Sequence, residues 1–340
     1  MLLERSRRDT PRATLAAPAA LGAAVVLLFC VSLAVGPAHI DLLPAISGLF
    51  AAEPPVTSII LSEIRLPRSL LALTVGATLG LSGAALQGLL RNPLAEPGLV
   101  GVSATAALGA VVVFYFGLSA QFSLALPLGG ITGAFIAVAL LYGLAGREPG
   151  VLTLILCGVA VSSFAAALTS LALNLAPSPY AALEIVAWLL GSLADRSMDH
   201  VWLALPLMLA GWALLLSAGS ALDALTLGED AARTLGISLP RARLQVVLGT
   251  ALAVGAAVSV TGGIAFVGLV VPHLLRPLVG YEPGRLLPLS ALGGAALLLA
   301  ADILVRLTSG PIELKLGVLT ALVGAPFFLY LIFQTRRELT

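Results

Sequence analysis

The sequence predicts an all-α, polytopic membrane protein of about ten transmembrane helices, arranged as two halves of inverted topology. Three observations carry this. Of the 340 residues, 59% are hydrophobic and only 10% are charged, against about 25% charge in a soluble globular chain. Mean hydropathy is +1.07. The apolar residues fall into runs of about 20, the length of a helix that crosses a bilayer, separated by short breaks rich in proline and glycine. Helices are the expected form because lipid offers the backbone no hydrogen-bond partners, and the runs lack the two-residue alternation of barrel strands. The net charge of +1 supplies no basic field for nucleic acid, so membrane lipid is the expected surround and nucleic acid is not a partner.

Taken in order, the first run follows the basic start "MLLERSRRDTPRAT". It spans Leu15 to Val35, and no small-residue cleavage site with a polar sequel comes after it. It therefore reads as an uncleaved helix behind a cytoplasmic tail, residues 1–14. The ten spans are expected near 15–36, 67–90, 96–116, 123–145, 151–173, 200–218, 243–261, 264–279, 287–306 and 317–334. Residues 1–340 form one transmembrane domain. The connection 174–199 is expected to hold a short helix along the interface, a level that suits Trp188. Residues 220–243 form the one sizeable loop on the side of the N-terminus.

Orientation follows from arginine and lysine. With a cytoplasmic N-terminus, Arg5, Arg7, Arg8, Arg12, Arg91, Arg147, Arg233, Arg241, Arg243, Arg276, Arg285, Arg336 and Arg337 lie inside, as do both termini. Arg65, Arg68, Arg196, Arg306 and Lys315 lie outside, against the trend, and need a reason of their own.

Helix breakers concentrate in "RNPLAEPGLVG", Arg91 to Gly101. Pro93 ends the incoming helix, and Pro97 suits the first turn of the next. This is either a tight turn or a non-helical element lining a pathway, which membranes tolerate only against protein or water. "NPLAEPGLVGVSATAALG" opens the third span and "TGGIAFVGLVVPHLLRP" the eighth. Five spans separate them, an odd number, as inverted repeats with broken helices require.

In the loop 220–243, Thr226 and Glu229 have capping-box spacing, and Gly236 can stop a short helix. Cys30 and Cys157 lie far apart in apolar runs and offer neither a metal spacing nor a disulfide framework. His273 reads as a packed residue. No acidic or basic residue sits mid-span with an evident coupling role, which argues against a proton- or sodium-driven carrier. No G-x-x-x-x-G-K-[ST] occurs, so no ATP site is expected on this chain. Neither a catalytic, a cofactor-binding nor a metal-ligating constellation is present.

The run "RLPRSLLALTVGATLGLSGAALQGLLRNPLAEPGLVGVSATAALGA" resembles the signature of the FecCD-type permeases. These are membrane subunits of type II ABC importers for iron-siderophores, haem and cobalamin. The likeness continues in "LGEDAARTLGI", "GGIAFVGLVVPHLLRPLVG", "LLPLSALGGAALLLAADILVR" and "GVLTALVGAPFFLYLI", in the same order.

The resemblance implies a homodimer with a central pathway between its copies. It further implies two ATP-binding-cassette ATPase subunits, which carry ATP and Mg, and a periplasmic substrate-binding protein. It places a cytoplasmic gate at Asn92, Pro93 and Leu94, with a second constriction at Gly150, Val151 and Leu152. It assigns Gly228, Glu229, Ala232, Leu235 and Gly236 to ATPase coupling. It makes Arg65, Arg68 and Arg306 the docking residues for the binding protein; the alternative is local pairing with Glu63 and Asp302, the latter four residues before Arg306. The implied function is import of an iron chelate, ferric siderophore or haem, across the bacterial inner membrane. Cobalamin import is the alternative within the family, and an ion-coupled secondary carrier the alternative from another class.

Overall fold

The computed structural model describes residues 10–51, 53–122, 124–146, 150–308 and 313–338. The tail 1–9, with Arg5, Arg7 and Arg8, and Arg147 lie outside them. Among the described residues every regular element is helical. The helices are α1 (Thr10–Ala34), α2 (Leu42–Gly48), α3 (Val56–Ile59), α4 (Leu66–Leu90), α5 (Val102–Tyr115), α6 (Ala125–Ala145), α7 (Val151–Asn174) and α8 (Pro179–Leu189). They continue as α9 (Met198–Ser217), α10 (Gly219–Leu225), α11 (Glu229–Thr234), α12 (Leu239–Thr261), α13 (Val267–Leu275), α14 (Pro283–Thr308) and α15 (Leu316–Glu338). A π-helical stretch, Ile60–Arg65, joins α3 to α4.

Each expected span coincides with a helix. Seven stretches are long and apolar enough to cross a membrane: Ala16–Ala34, Val56–Leu90, Ala125–Ala145, Val151–Asn174, Met198–Ser217, Leu239–Thr261 and Pro283–Thr308. The third, eighth and tenth expected spans are the shorter apolar helices Val102–Tyr115, Val267–Val279 and Leu316–Tyr330. The nearly unbroken run over 243–279 divides after Thr261, where Gly262 takes φ +73°.

The layering follows from side-chain size. Within their most apolar windows α4 is 89% and α12 78% buried, against 22% for α7 and 28% for α6. Helices α4 and α12 therefore form the centre. Apolar side chains gain nothing by leaving lipid for each other, so close approach of backbones has to supply the contact. Glycines provide it. A Cβ on Gly80 of α4 would stand 2.0 Å from the Ser290 carbonyl oxygen of α14, and one on Gly76 2.3 Å from that of Gly294. On the other side of the centre, a Cβ on Gly211 of α9 would stand 2.5 Å from the Gly249 oxygen of α12.

The connection 174–199 does hold a short helix, α8, started by Ser178, whose hydroxyl accepts from the Ala181 N–H at 3.2 Å. Trp188 departs from expectation. It is buried and meets Phe114 edge-on, with ring centroids 6.4 Å apart, so it serves the packing of α8 on α5 and not a membrane-surface belt.

Candidate functional site: a hinged end and a locked end

One end of the bundle gathers the C-terminus of α4, the N-termini of α7, α12 and α14, and the short helices α10 and α11. Helix α4 ends on Arg91 in the left-handed conformation, φ +48°. Asn92 then accepts the Leu94 N–H on its Oδ1 at 2.9 Å, making a side-chain-closed turn across Pro93. The chain next re-enters the bundle. Pro97–Val100 form a 3-10 turn and Gly101, φ +82°, starts α5. Pro97 touches the site of Gly268, which itself sits against Gly83 of α4. Gly83 is seven residues before Leu90, about 10 Å inside the end of the helix. The breakers thus build a re-entrant segment, not a simple surface turn.

A cavity of about 260 Å³ opens beside this turn, lined by Gln87, Arg91, Asn92, Pro93, Arg276 and Thr226 among others. The second expected gate group lies at the same end. Gly150 precedes α7 and its carbonyl accepts the Leu154 N–H at 3.1 Å. Val151 is half-buried and Leu152 is exposed. Leu154 joins Leu89 and Leu90 of α4 and Val247 of α12 around a small void, so packing brings the start of α7 to the end of α4.

Helices α10 and α11 sit on this end. Thr226 does not make the expected capping box: its hydroxyl donates back to the Asp223 carbonyl at 2.6 Å, and Gly228, φ +102°, occupies the N-cap without a side-chain bond. Glu229 instead faces Arg243 of α12 at 2.8 Å, and Ala232 is fully buried. At the other end of α11, the Ile237 N–H reaches the Ala232 carbonyl at 3.0 Å and the Gly236 N–H that of Arg233 at 2.9 Å. This double bond pattern with Gly236 at φ +83° is a Schellman closure. The result is a short helix fixed at both ends. Leu227 and Leu235, 68% and 63% exposed, project beside it.

The opposite end holds Arg65, Arg68 and Arg306, and here the partners are largely those of the local-pairing alternative. Arg65 is buried and caps α1, donating to the carbonyls of Leu33 (2.9 Å), Ala34 (2.5 Å) and Ala38. Arg306 donates to the Ser32 and Val35 carbonyls at 2.8 and 2.9 Å and pairs with Asp302 at 2.9 Å. Arg68 bonds Asp302 at 2.9 Å and also Glu313. The orphan carbonyls and negative pole of a helix C-terminus favour such donors. Asp302, with no exposed surface, neutralises two of the three. None of the three stands free for a partner's carboxylate, and Glu63 takes no part.

Sequence reasoning passed over Glu96. Its side chain is half-buried and lies over Gly98, where an added Cβ would stand 3.4 Å from the Glu96 Oε1. His273 packs edge-on against Phe327 of α15, centroids 5.9 Å apart. Among the described residues no cluster of His, Cys, Asp and Glu could hold a metal, and both cysteines are free.

Helical membrane proteins whose spans are interrupted by unwound segments include many transporters. Residues 24–334 match the model of the FecCD transport family. The chain is 42% identical to the Fe(3+) dicitrate transport system permease protein of Escherichia coli, covering 82% of this chain and 86% of that one. It is 41% identical to the cobalamin import system permease protein of Halobacterium salinarum, with 85% and 79% covered. It is 39% identical to the hemin transport system permease protein of Yersinia pestis, with 81% and 84% covered. A solved structure described as an inward-facing metal-chelate type ABC transporter superposes with a TM-score of 0.83 at 34% identity, covering 93% of this chain and 98% of that one. The chain belongs to the FecCD transport family and is the permease, not an enzyme, of an ABC transporter.

Proposed function

We propose that two copies of this chain form the pathway of a type II ABC importer that carries an iron chelate, a ferric siderophore or haem, across the bacterial inner membrane. Both termini are cytoplasmic. ATP and Mg act on two separate ATPase subunits seated on α10 and α11, and a periplasmic binding protein delivers the ligand. The knob carries this reading: Leu227 and Leu235 are exposed at the two ends of a short helix that Glu229, Ala232 and Gly236 hold against α12. A fixed apolar tip beside the Asn92–Leu94 turn is suited to transmit a push to that turn. Family membership supports the cargo class, and the 41% identity to a cobalamin permease supports cobalamin as the second reading.

The wall suits a large cargo that must not bind tightly. A groove of about 510 Å³ runs between α8 and α15, lined by Leu189, Leu190, Ala265, Gly317, Val318 and Leu322 among others. On the outer face, Arg65, Arg68 and Arg306 would act as a buttress under the docked binding protein.

The experiment is reconstitution with the ATPase subunits in vesicles. Leu235→Asp, at a solvent-facing position, should leave the fold intact and weaken ATPase association by roughly 30-fold, as loss of an interface anchor does. Wild-type chain without ATPase should concentrate nothing. Uphill accumulation by the chain alone, collapsing with an ionophore, would identify an ion-coupled carrier instead.

A further inference from the structure

The cavity of about 260 Å³ beside the Asn92–Leu94 turn is a basic recess. Its wall carries Arg91 from the end of α4 and Arg276 from the segment after α13, with Asn92 and Tyr281 beside them, and no carboxylate lines it. Among the described residues neither arginine is in an ion pair, although this end has carboxylates enough. Glu229 is taken by Arg243 at 2.8 Å and Glu282 by Arg285 at 2.6 Å. Asp230 stands 3.7 Å from Arg233, and Asp223 accepts the Gly284 N–H at 2.7 Å. The acids of this end are engaged elsewhere, and the two cations of the cavity are left without a counter-charge.

The donors are held in place. Gln87 is buried; its amide nitrogen donates to the Gly268 carbonyl at 3.2 Å and its oxygen accepts from the Arg276 guanidinium. That pairing orients the guanidinium and leaves its other N–H groups as donors. Asn92 commits its Oδ1 to the Leu94 N–H at 2.9 Å, so its NH2 group remains a donor as well. Fixed N–H donors carrying positive charge match phosphate oxygens, which planar guanidinia bind two at a time. The cavity is smaller than pockets for drug-sized ligands, about 300–1,000 Å³, so it suits a headgroup and not a chelate. Basic pockets between helices on the cytoplasmic side of a membrane take phosphate headgroups.

We propose that this cavity binds an anionic phosphate group, of an inner-leaflet lipid or of a free phosphate ion, between Arg91 and Arg276. Bound there, it ties the turn between α4 and α5 to the end of α13. The cytoplasmic placement rests on the permease reading above; the binding itself does not.

Hydrogen exchange of the Leu94 and Ala95 amides, read on the chain alone, tests it. One arm uses phosphatidylcholine nanodiscs, with sodium phosphate titrated against sodium chloride at equal ionic strength. The other replaces part of the phosphatidylcholine by phosphatidylglycerol. At about ten times the half-saturating level, both amides should exchange about tenfold slower. Protection by phosphate assigns the ion, protection by phosphatidylglycerol alone assigns the headgroup, and either supports the site. Arg91→Gln and Arg276→Gln should each raise the half-saturating level about fivefold or more. Arg285→Gln, at the same end but outside the cavity, should leave it unchanged. Absence of protection in both arms overturns the proposal. So does protection that survives both cavity variants, or that falls equally with Arg285→Gln, the mark of diffuse surface charge. Weaker ATPase association in the cavity variants, with no phosphate protection of the wild-type chain, would assign the arginines to a protein contact and overturn it too. If Arg276→Gln yields no folded chain, Arg91→Gln, at an exposed position, decides. Neither ATPase nor cargo is present, so failure here is distinguishable from a chain that does not import.

Discussion

The two ends of the bundle handle charge in opposite ways. At the end with Arg65, Arg68 and Arg306, the guanidinia are turned inward, and Arg68 and Arg306 share one fully buried carboxylate, Asp302. At the end with α10 and α11, ion pairs sit nearer water: Glu229 with Arg243 is part-exposed, and Glu282 with Arg285 is largely exposed on both sides. The first end is built to stay as it is. The second combines loosely held charge, a left-handed residue at Arg91 and a cavity, the ingredients of a surface that has to move and be moved.

That contrast can be broken most sharply at Asp302. Asp302→Ala leaves Arg68 and Arg306 buried with one carboxylate removed, and should cost about 3–5 kcal/mol, read as a lower unfolding midpoint in detergent. A loss below about 1 kcal/mol would mean that this end is no more locked than the other. Glu229→Ala should come second, at about 1–3 kcal/mol: Arg243 is buried and loses its partner, while Glu229 itself is part-exposed. Its main readout is faster hydrogen exchange in α11 with the rest of the bundle unchanged. Glu282→Gln should be smallest, within about 0.5 kcal/mol in the same unfolding measurement, because an exposed pair separated by three residues is weak. If the Glu282 variant matched the Asp302 variant, exposure would not be what separates the ends.

Much of the fold was legible in one dimension. Apolar runs and helix breakers locate the spans, since lipid allows few alternatives to a helix. Gly236 was readable as a stop because only glycine closes that turn cheaply, and the Asp302–Arg306 pair was readable from helical spacing. The remaining partners were not. Arg68 meets Glu313 and Arg306 meets Ser32 across more than two hundred residues of chain, and no local pattern encodes such a meeting. Thr226 chose the carbonyl three residues behind over the amides ahead, a competition that spacing cannot decide. Trp188 looked like an interface residue because it falls in a connection between two spans, whereas its neighbour in space is Phe114.

The capping of α1 has a consequence for biosynthesis. This helix precedes the other described helices in the chain and is only 11% buried across its apolar window, so its own packing anchors it weakly. Its last carbonyls are claimed by Arg65 and then by Arg306, and Arg306 is joined to the chain 271 residues after Val35. Helix α1 is thus fastened by α14, and nascent chains released before Arg306 would carry α1 with part of its C-terminal end still uncapped in the bilayer.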